Sequence, residues 1–195
     1  MNRDIHINVA EEPIETLAMH PKKFALWLFI VSIIMIFAAM TSAYIVRQGE
    51  GNWFEFELPA IFWINSAVIL ASSVTMQIAY FAAKKDNLEL VKVFTAITTA
   101  LGVAFLVLQL LAWEELVQMG VFFVGNPSGS FLYVLTGLHG FHLITGVIYL
   151  FILLTSTFKY KVHSKSMVQM EMCTTFWHFL DALWIYLFLF LLLNN

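Results

Sequence analysis

The sequence predicts an all-α integral membrane bundle of five transmembrane helices, with the N-terminus inside and the C-terminus outside. Three observations carry this. Of 195 residues, 61% are hydrophobic and 12% are charged, where soluble domains have about 45–50% and about 25%. Five stretches are apolar over the roughly 20 residues that a helix rising about 1.5 Å per residue needs to cross a hydrocarbon core. Nine of the ten basic residues lie on alternate connecting segments, on what is then one side of the membrane. With a net charge of -3 and no run of Lys or Arg beyond two, the chain has no electrostatic footprint for nucleic acid.

Residues 1–23 form a polar cytoplasmic segment, set apart from a transmembrane domain over 24–195. Residues 1–20 lack the basic start and apolar core of a cleavable signal peptide, so the first span is expected to direct insertion itself. The spans are residues 24–46, 60–83, 93–113, 131–158 and 172–193, and the first three contain no charged residue. Pro13, Pro21, Pro59 and Pro127 all fall outside them, which suits straight helices with internally satisfied backbones. Arg3, Lys22 and Lys23 precede span one, Lys84, Lys85 and Lys92 join spans two and three, and Lys159, Lys161 and Lys165 join spans four and five. Only Arg47 lies on the other side, whose loops carry Glu50, Glu55, Glu57, Glu114 and Glu115. Cytoplasmic loops retain Lys and Arg, which sets the orientation.

Small or weakly polar residues recur at helical spacing. They are Ala25, Ser32 and Ala39 in span one, and Asn65, Ser72 and Ser73 in span two. Span three has Thr95, Thr98, Thr99, Gly102 and Gln109, and span four has Gly137, Gly140 and Gly146. Such stripes let helices approach closely in lipid, so they are read as packing seams. Trp27, Tyr44, Trp53, Trp63, Tyr80, Trp113, Tyr133 and Tyr160 fall near span ends, where amphipathic rings prefer the headgroup level. Trp177 and Trp184, seven apart, mark one face of span five and are expected to pack in the core. Cys173, the one cysteine, is expected to behave as a small buried hydrophobe.

Ionisable residues concentrate in spans four and five. His139 and His142 stand three apart, and Glu171, Thr174, His178 and Asp181 form a stripe along the start of span five. Antiparallel packing places His142 and Asp181 at similar depth, roughly 16 Å from the membrane edge at 1.5 Å per residue, so a midplane contact between them is sterically allowed. Three readings fit the set: a structural polar knot, a carboxylate–histidine proton relay, and a metal or haem site. No His-Glu-x-x-His or Cys pair is present.

The same residues carry a family resemblance. FLYVLTGLHGFHLITGVIYL in span four is similar to an F…TGxHGxHxxxG signature, at Thr136, Gly137, His139, Gly140, His142 and Gly146. Span five is similar to Glu-x6-His-Phe-x-Asp-x-x-Trp, at Glu171, His178, Phe179, Asp181 and Trp184. Weaker echoes lie at Leu28–Ser32, Trp63–Ser66 with Leu70–Thr75, and Leu101–Gln109. From about residue 22 onward the chain resembles subunit III of haem–copper terminal oxidases, most closely the bacterial cytochrome c oxidase form with five helices rather than seven.

The resemblance implies a multi-pass subunit of the bacterial cytoplasmic membrane in an aerobic respiratory chain. Such a subunit holds no haem, copper or substrate site; haem and copper are expected in partner subunits I and II. It implies bound phospholipid in a cleft between helices, support of proton uptake by the catalytic neighbour, and slower turnover-dependent inactivation. A larger respiratory supercomplex is a further partner that the resemblance leaves open. His139, His142, Glu171, His178, Asp181 and Trp184 are then candidates for a structural polar cluster or for lipid contact. Ile33 stands where many members carry a carbodiimide-reactive carboxylate, and Ala112 where mitochondrial-type members carry Glu. Five-helix third subunits also occur in quinol oxidases, and a related protein accompanies some nitric oxide reductases. The segment GNPSGSFLYVLTG, residues 125–137, favours the cytochrome c form. An independent transporter or proton channel is the alternative of another class.

The basic asymmetry makes a direct prediction: a reporter fused after Asn195 is active outside the cytoplasm, and one inserted between Lys84 and Lys92 is active inside. The opposite pattern at either site removes the five-span topology.

Overall fold

The computed structural model describes residues 20–158 and 167–194. They form five α-helices: α1 Pro21–Gly49, α2 Ile61–Lys84, α3 Leu88–Gln118, α4 Pro127–Phe158 and α5 Val168–Asn194. All five are long and apolar enough to cross a membrane. The spans read from the sequence lie inside these helices apart from Ala60, which precedes α2, and the helices are longer because hydrogen-bonded backbone continues into the headgroup layers. Lys23 and the Glu114–Glu115 pair, expected in connecting segments, are therefore helical. Arg3, Lys159, Tyr160, Lys161 and Lys165 lie outside the described residues.

Helix boundaries follow local chemistry. Pro21 and Pro127 open α1 and α4, where the missing N–H costs no helical bond. The Asn87 side chain caps α3 by accepting from the Leu90 N–H at 3.3 Å, and Asn126 accepts from Ser128 N–H at 2.9 Å at the start of α4. Between α2 and α3 the chain turns within Lys85–Asn87, with Asp86 at a φ of 53°. One rim of the bundle carries Lys22, Lys23, Lys84, Lys85 and Lys92 and is called the basic end. The opposite rim, with the α1–α2 and α3–α4 loops, is the acidic end.

Helices α2, α3, α4 and α5 close a ring, each packed on the next and α5 back on α2. Helix α1 lies outside this ring and packs only on α4 and α5. The ring is filled from α5. The Trp177 indole lies so close to Gly102 of α3 that a Cβ there would approach it to 2.6 Å, and it also borders Gly146 of α4. Its Nε1 donates to Ser72 Oγ of α2 at 3.1 Å. Two turns along, about 10 Å higher, Trp184 stacks on Phe62 and meets Phe105 edge-on at 4.8 Å. Its Nε1 donates to Ser66 Oγ at 3.1 Å. Both tryptophans are buried, as their shared face led us to expect, and so is Cys173.

The packing seams follow the small residues in α2 and α3, where Asn65, Ser72, Thr95, Thr98, Thr99, Gly102 and Gln109 are buried. In α1 the expectation fails. Ala25, Ser32 and Ala39 face away from the bundle, while Ile30, Ile33, Phe37, Thr41 and Tyr44 enter the groove between α4 and α5. A wide groove between two helices is filled better by long side chains than by small ones, and α1 is rotated accordingly.

Gly102 is small because the Trp177 ring lies against it and Gly146 because Leu180, and behind it Trp177, do, whereas Gly140 faces open space. Gly102→Ala and Gly146→Ala should each destabilise the bundle by about 1–3 kcal/mol, read as a lower temperature for loss of helicity in detergent. Gly140→Ala should be neutral or mildly stabilising.

Candidate functional site

The six candidate residues do not form one cluster. Three of them point into or across the ring. His139 is fully buried, 5.2 Å from the Trp184 ring and 6.0 Å from Phe105 between ring centroids. Both its nitrogens are without a hydrogen-bond partner among the described residues. Trp184 holds α2 and α3 from the same level. Asp181, one turn earlier on α5, is 3% exposed and lies beside Ser73 of α2 and His178 of its own helix. Its Oδ2 is 3.9 Å from His178 Nδ1.

His142 turns the other way. Its ring sits among Phe29 and Phe37 of α1, with centroids at 6.4 and 5.9 Å, and its Nδ1 bonds the Leu138 carbonyl at 2.8 Å. The midplane contact of His142 with Asp181 therefore does not form. Equal depth is satisfied, but the two side chains leave their helices toward different neighbours, α1 for His142 and α2 for Asp181. Glu171 likewise meets neither histidine of α4 and pairs with Lys23 of α1.

The α2–α5 seam is a series of side-chain hydrogen bonds. Below Trp184–Ser66 and Trp177–Ser72, His178 bridges Ser73 Oγ from Nδ1 at 2.6 Å and Gln77 Oε1 from Nε2 at 3.0 Å. Gln77 Oε1 only accepts, so His178 Nε2 carries a proton. With His178 neutral, Ser73 donates its hydroxyl to Nδ1. With His178 charged, Nδ1 donates to Ser73, whose proton is freed toward Asp181. Neither Asp181 oxygen has a hydrogen-bond partner among the described residues, so the hydroxyl can reach the carboxylate only in the charged state of His178, which is chemistry that a relay or a register-fixing knot could use. Ser73 and Gln77 completed this seam. Ser73 was visible in the sequence as part of a stripe, whereas Gln77 carried no spacing signal.

At the basic end, α1 and α2 stand apart and leave a cleft of about 380 Å³ floored by α5. Its walls are Lys23, Leu26 and Trp27 of α1, Tyr80 of α2, and Glu171, Thr174, Thr175 and His178 of α5. The Lys23–Glu171 pair closes one side. Thr174 is 6% exposed, and its Oγ1 has no partner among the described residues. A charged pair and hydroxyls at helix-end level, with Leu26 and Trp27 beside them, suit an amphiphile whose polar head lies at the rim and whose chain runs along α1. Among the described residues, no three of His, Cys, Asp and Glu converge as a donor set. His139 and His142 diverge and offer no common axis.

Comparison with known proteins agrees with this architecture. The sequence profile of the family described as cytochrome c oxidase subunit III matches residues 52–194. A cytochrome bo(3) ubiquinol oxidase subunit 3 from Buchnera aphidicola subsp. Baizongia pistaciae is 29% identical, over 92% of this chain and 95% of its own. The cytochrome c oxidase subunit 3 of Bacillus sp. (strain PS3) is 26% identical over 92% and 88%, respectively. A probable cytochrome c oxidase subunit 3 from Nocardia farcinica is 32% identical over 83% and 82%. With its profile match spanning α2 to α5 and both tryptophans of the ring, this five-helix chain belongs to the cytochrome c oxidase subunit III family.

Proposed function

We propose that this chain is a non-catalytic membrane subunit of a haem–copper cytochrome c oxidase in an aerobic respiratory chain, seated beside catalytic subunit I and subunit II in a bacterial cytoplasmic membrane. Haem and copper belong to those partners. The observation that carries the reading is the use made of the family-matching residues. Trp184, His139 and Gly146 are buried where helices meet, and His178, though it borders the cleft, has both ring nitrogens engaged by Ser73 and Gln77 of α2. The basic end faces the cytoplasm, in keeping with the lysines on that rim.

In this reading the cleft between α1 and α2 holds a phospholipid, with its phosphate on Lys23 and its chains along Leu26 and Trp27. The lipid and the ring stabilise the neighbouring catalytic subunit. They support its proton uptake by keeping the cytoplasmic surface intact; the chain itself carries no proton across. Ile33, buried against the α4–α5 groove, leaves α1 without an exchangeable group at mid-depth. A quinol oxidase is the second reading, supported by the similarity to the Buchnera ubiquinol oxidase subunit.

Co-purification in mild detergent tests the assembly. The chain should be recovered with a haem–copper protein, and the complex should oxidise reduced cytochrome c; oxidation of quinol alone would favour the second reading. The chain by itself should move no protons in liposomes.

Asp181 decides between structure and transport. An unpaired charge at this depth costs about 3 kcal/mol or more, and the polar neighbours of the carboxylate are Ser73 and, at 3.9 Å, His178. Asp181→Asn should leave assembly and the initial oxygen-consumption rate close to wild type, whereas Asp181→Leu should weaken retention of the subunit, because the seam loses its acceptor. A fully assembled Asn variant that has lost proton pumping from its first turnovers would show that Asp181 is a relay.

A further inference from the structure

The α3–α4 loop is built inside out. In a soluble loop, apolar side chains turn inward and backbone carbonyls reach water. Here the carbonyls turn inward. Val121 O accepts from the Tyr133 hydroxyl at 2.9 Å, and Phe123 O accepts from Ser130 Oγ at 2.6 Å. Phe122 O lies against α4, so close that a Cβ on Gly129 would meet it at 2.5 Å. Asn126 ties the loop to the α1–α2 segment by donating to Asn52 O and accepting from Phe54 N–H. The side chains turn outward instead: Phe122, Phe123 and Val124 are 56%, 55% and 80% exposed.

Position and charge agree with that inversion. Phe123 packs edge-on against Tyr133 at 6.2 Å, and Tyr133 lies 6.0 Å from Trp113. This chain of rings sets the loop at the level where aromatic side chains mark the edge of the hydrocarbon. It is continuous there with the apolar perimeter of the bundle at Leu110, Val117 and Val134, all exposed. The sequence has no Asp, Glu, Lys or Arg between Glu115 and Lys159. The companion loop at the same end carries Glu50, Glu55 and Glu57.

We propose that residues Phe122–Val124 are a rigid foot inserted into the lipid leaflet at the acidic end of the bundle. Lipid is the occupant because the exposed tip is uncharged, has the Val121 and Phe123 carbonyls hydrogen-bonded within the protein, and continues the apolar perimeter at the depth of the aromatic belt. The foot adds a second point of contact with that leaflet beside the helices and holds α3 and α4 at a set depth. The proposal is independent of the electron donor and of the cleft at the basic end.

The test is a nitroxide label on Phe123→Cys and, separately, on Val124→Cys, in the intact oxidase complex reconstituted in nanodiscs of phosphatidylethanolamine and phosphatidylglycerol. Wild-type complex taken through the same labelling supplies the baseline, and Val124→Cys, at a side chain 80% exposed, provides a second position if Phe123→Cys disturbs the loop. Collision with oxygen reports lipid, and collision with a water-soluble nickel chelate reports solvent. At both positions, oxygen should relax the label as it does lipids labelled near the top of the acyl chain. The nickel collision rate should be several-fold below that of a label on Glu55→Cys. Nickel collision equal to that at Glu55→Cys would place the loop in water, and low collision with both probes would mean that another protein covers it. Either result overturns the proposal.

Discussion

Everything in this bundle depends on two indoles reaching across it from one helix. Between helices in lipid there is no hydrophobic drive, since the surrounding chains are as apolar as leucine, so cohesion comes from shape and from hydrogen bonds. Trp177 and Trp184 supply both. Trp177 borders two glycines, on α3 and α4, and donates its N–H to a serine on α2. Trp184 repeats the arrangement one level higher with Phe62, Phe105, His139 and Ser66. An indole is large enough to span the axis of a four-helix ring and carries one donor, which in an apolar core must find an acceptor. That donor fixes the rotation of α5 against α2. The rest of their seam, down to His178 with Ser73 and Gln77, follows from this rotation.

Helix α1 obeys a different constraint. It contributes no residue to the axis and is held at discrete places along its length. Near the acidic end, the Tyr44 hydroxyl and the Gln48 amide both donate to the Asn194 carbonyl, at 3.0 and 2.7 Å, giving partners to a group left free at the end of α5. Tyr186 donates to Thr41 slightly deeper. At the basic end, the hold is the Lys23–Glu171 pair. Between them, Phe29 and Phe37 close around His142. Because α1 leans on α4 and α5 only, it leaves α2 uncovered on one flank, and the cleft at the basic end is a direct consequence of that placement.

Much of this is legible in the sequence. Five spans, their charge asymmetry, the buried tryptophan face and the buried cysteine follow from composition and helical period, because burial in the membrane imposes length and apolarity on every crossing segment. What was not legible is how each helix is rotated about its own axis. The stripe Ala25, Ser32 and Ala39 has the spacing of a packing seam, yet the groove it would have entered takes Ile33 and Phe37. His142 and Asp181 share a depth, but depth is a one-dimensional coordinate and contact is not. Gln77 carried no periodic signal at all, since a single polar residue on an apolar helix declares nothing about what it meets.

The polar residues of α4 and α5 also show why a histidine–carboxylate pattern in a membrane helix is ambiguous when read alone. A buried imidazole beside a carboxylate is the raw material of proton transfer. It is also the least costly way to place directional bonds where dispersion alone would let helices slide or rotate. Partner geometry separates the two uses. A relay needs titratable groups in sequence toward both membrane faces, and each must be within reach of the next. Here the groups diverge: His142 toward α1, Asp181 and His178 toward α2, and Glu171 toward Lys23 at the rim. His139, on the axis, has aromatic neighbours and no hydrogen-bonded successor among the described residues. The groups face three different surroundings, α1 for His142 and Glu171, α2 for Asp181 and His178, and the aromatic axis for His139, so the pattern that looks like one site in the sequence is distributed in space.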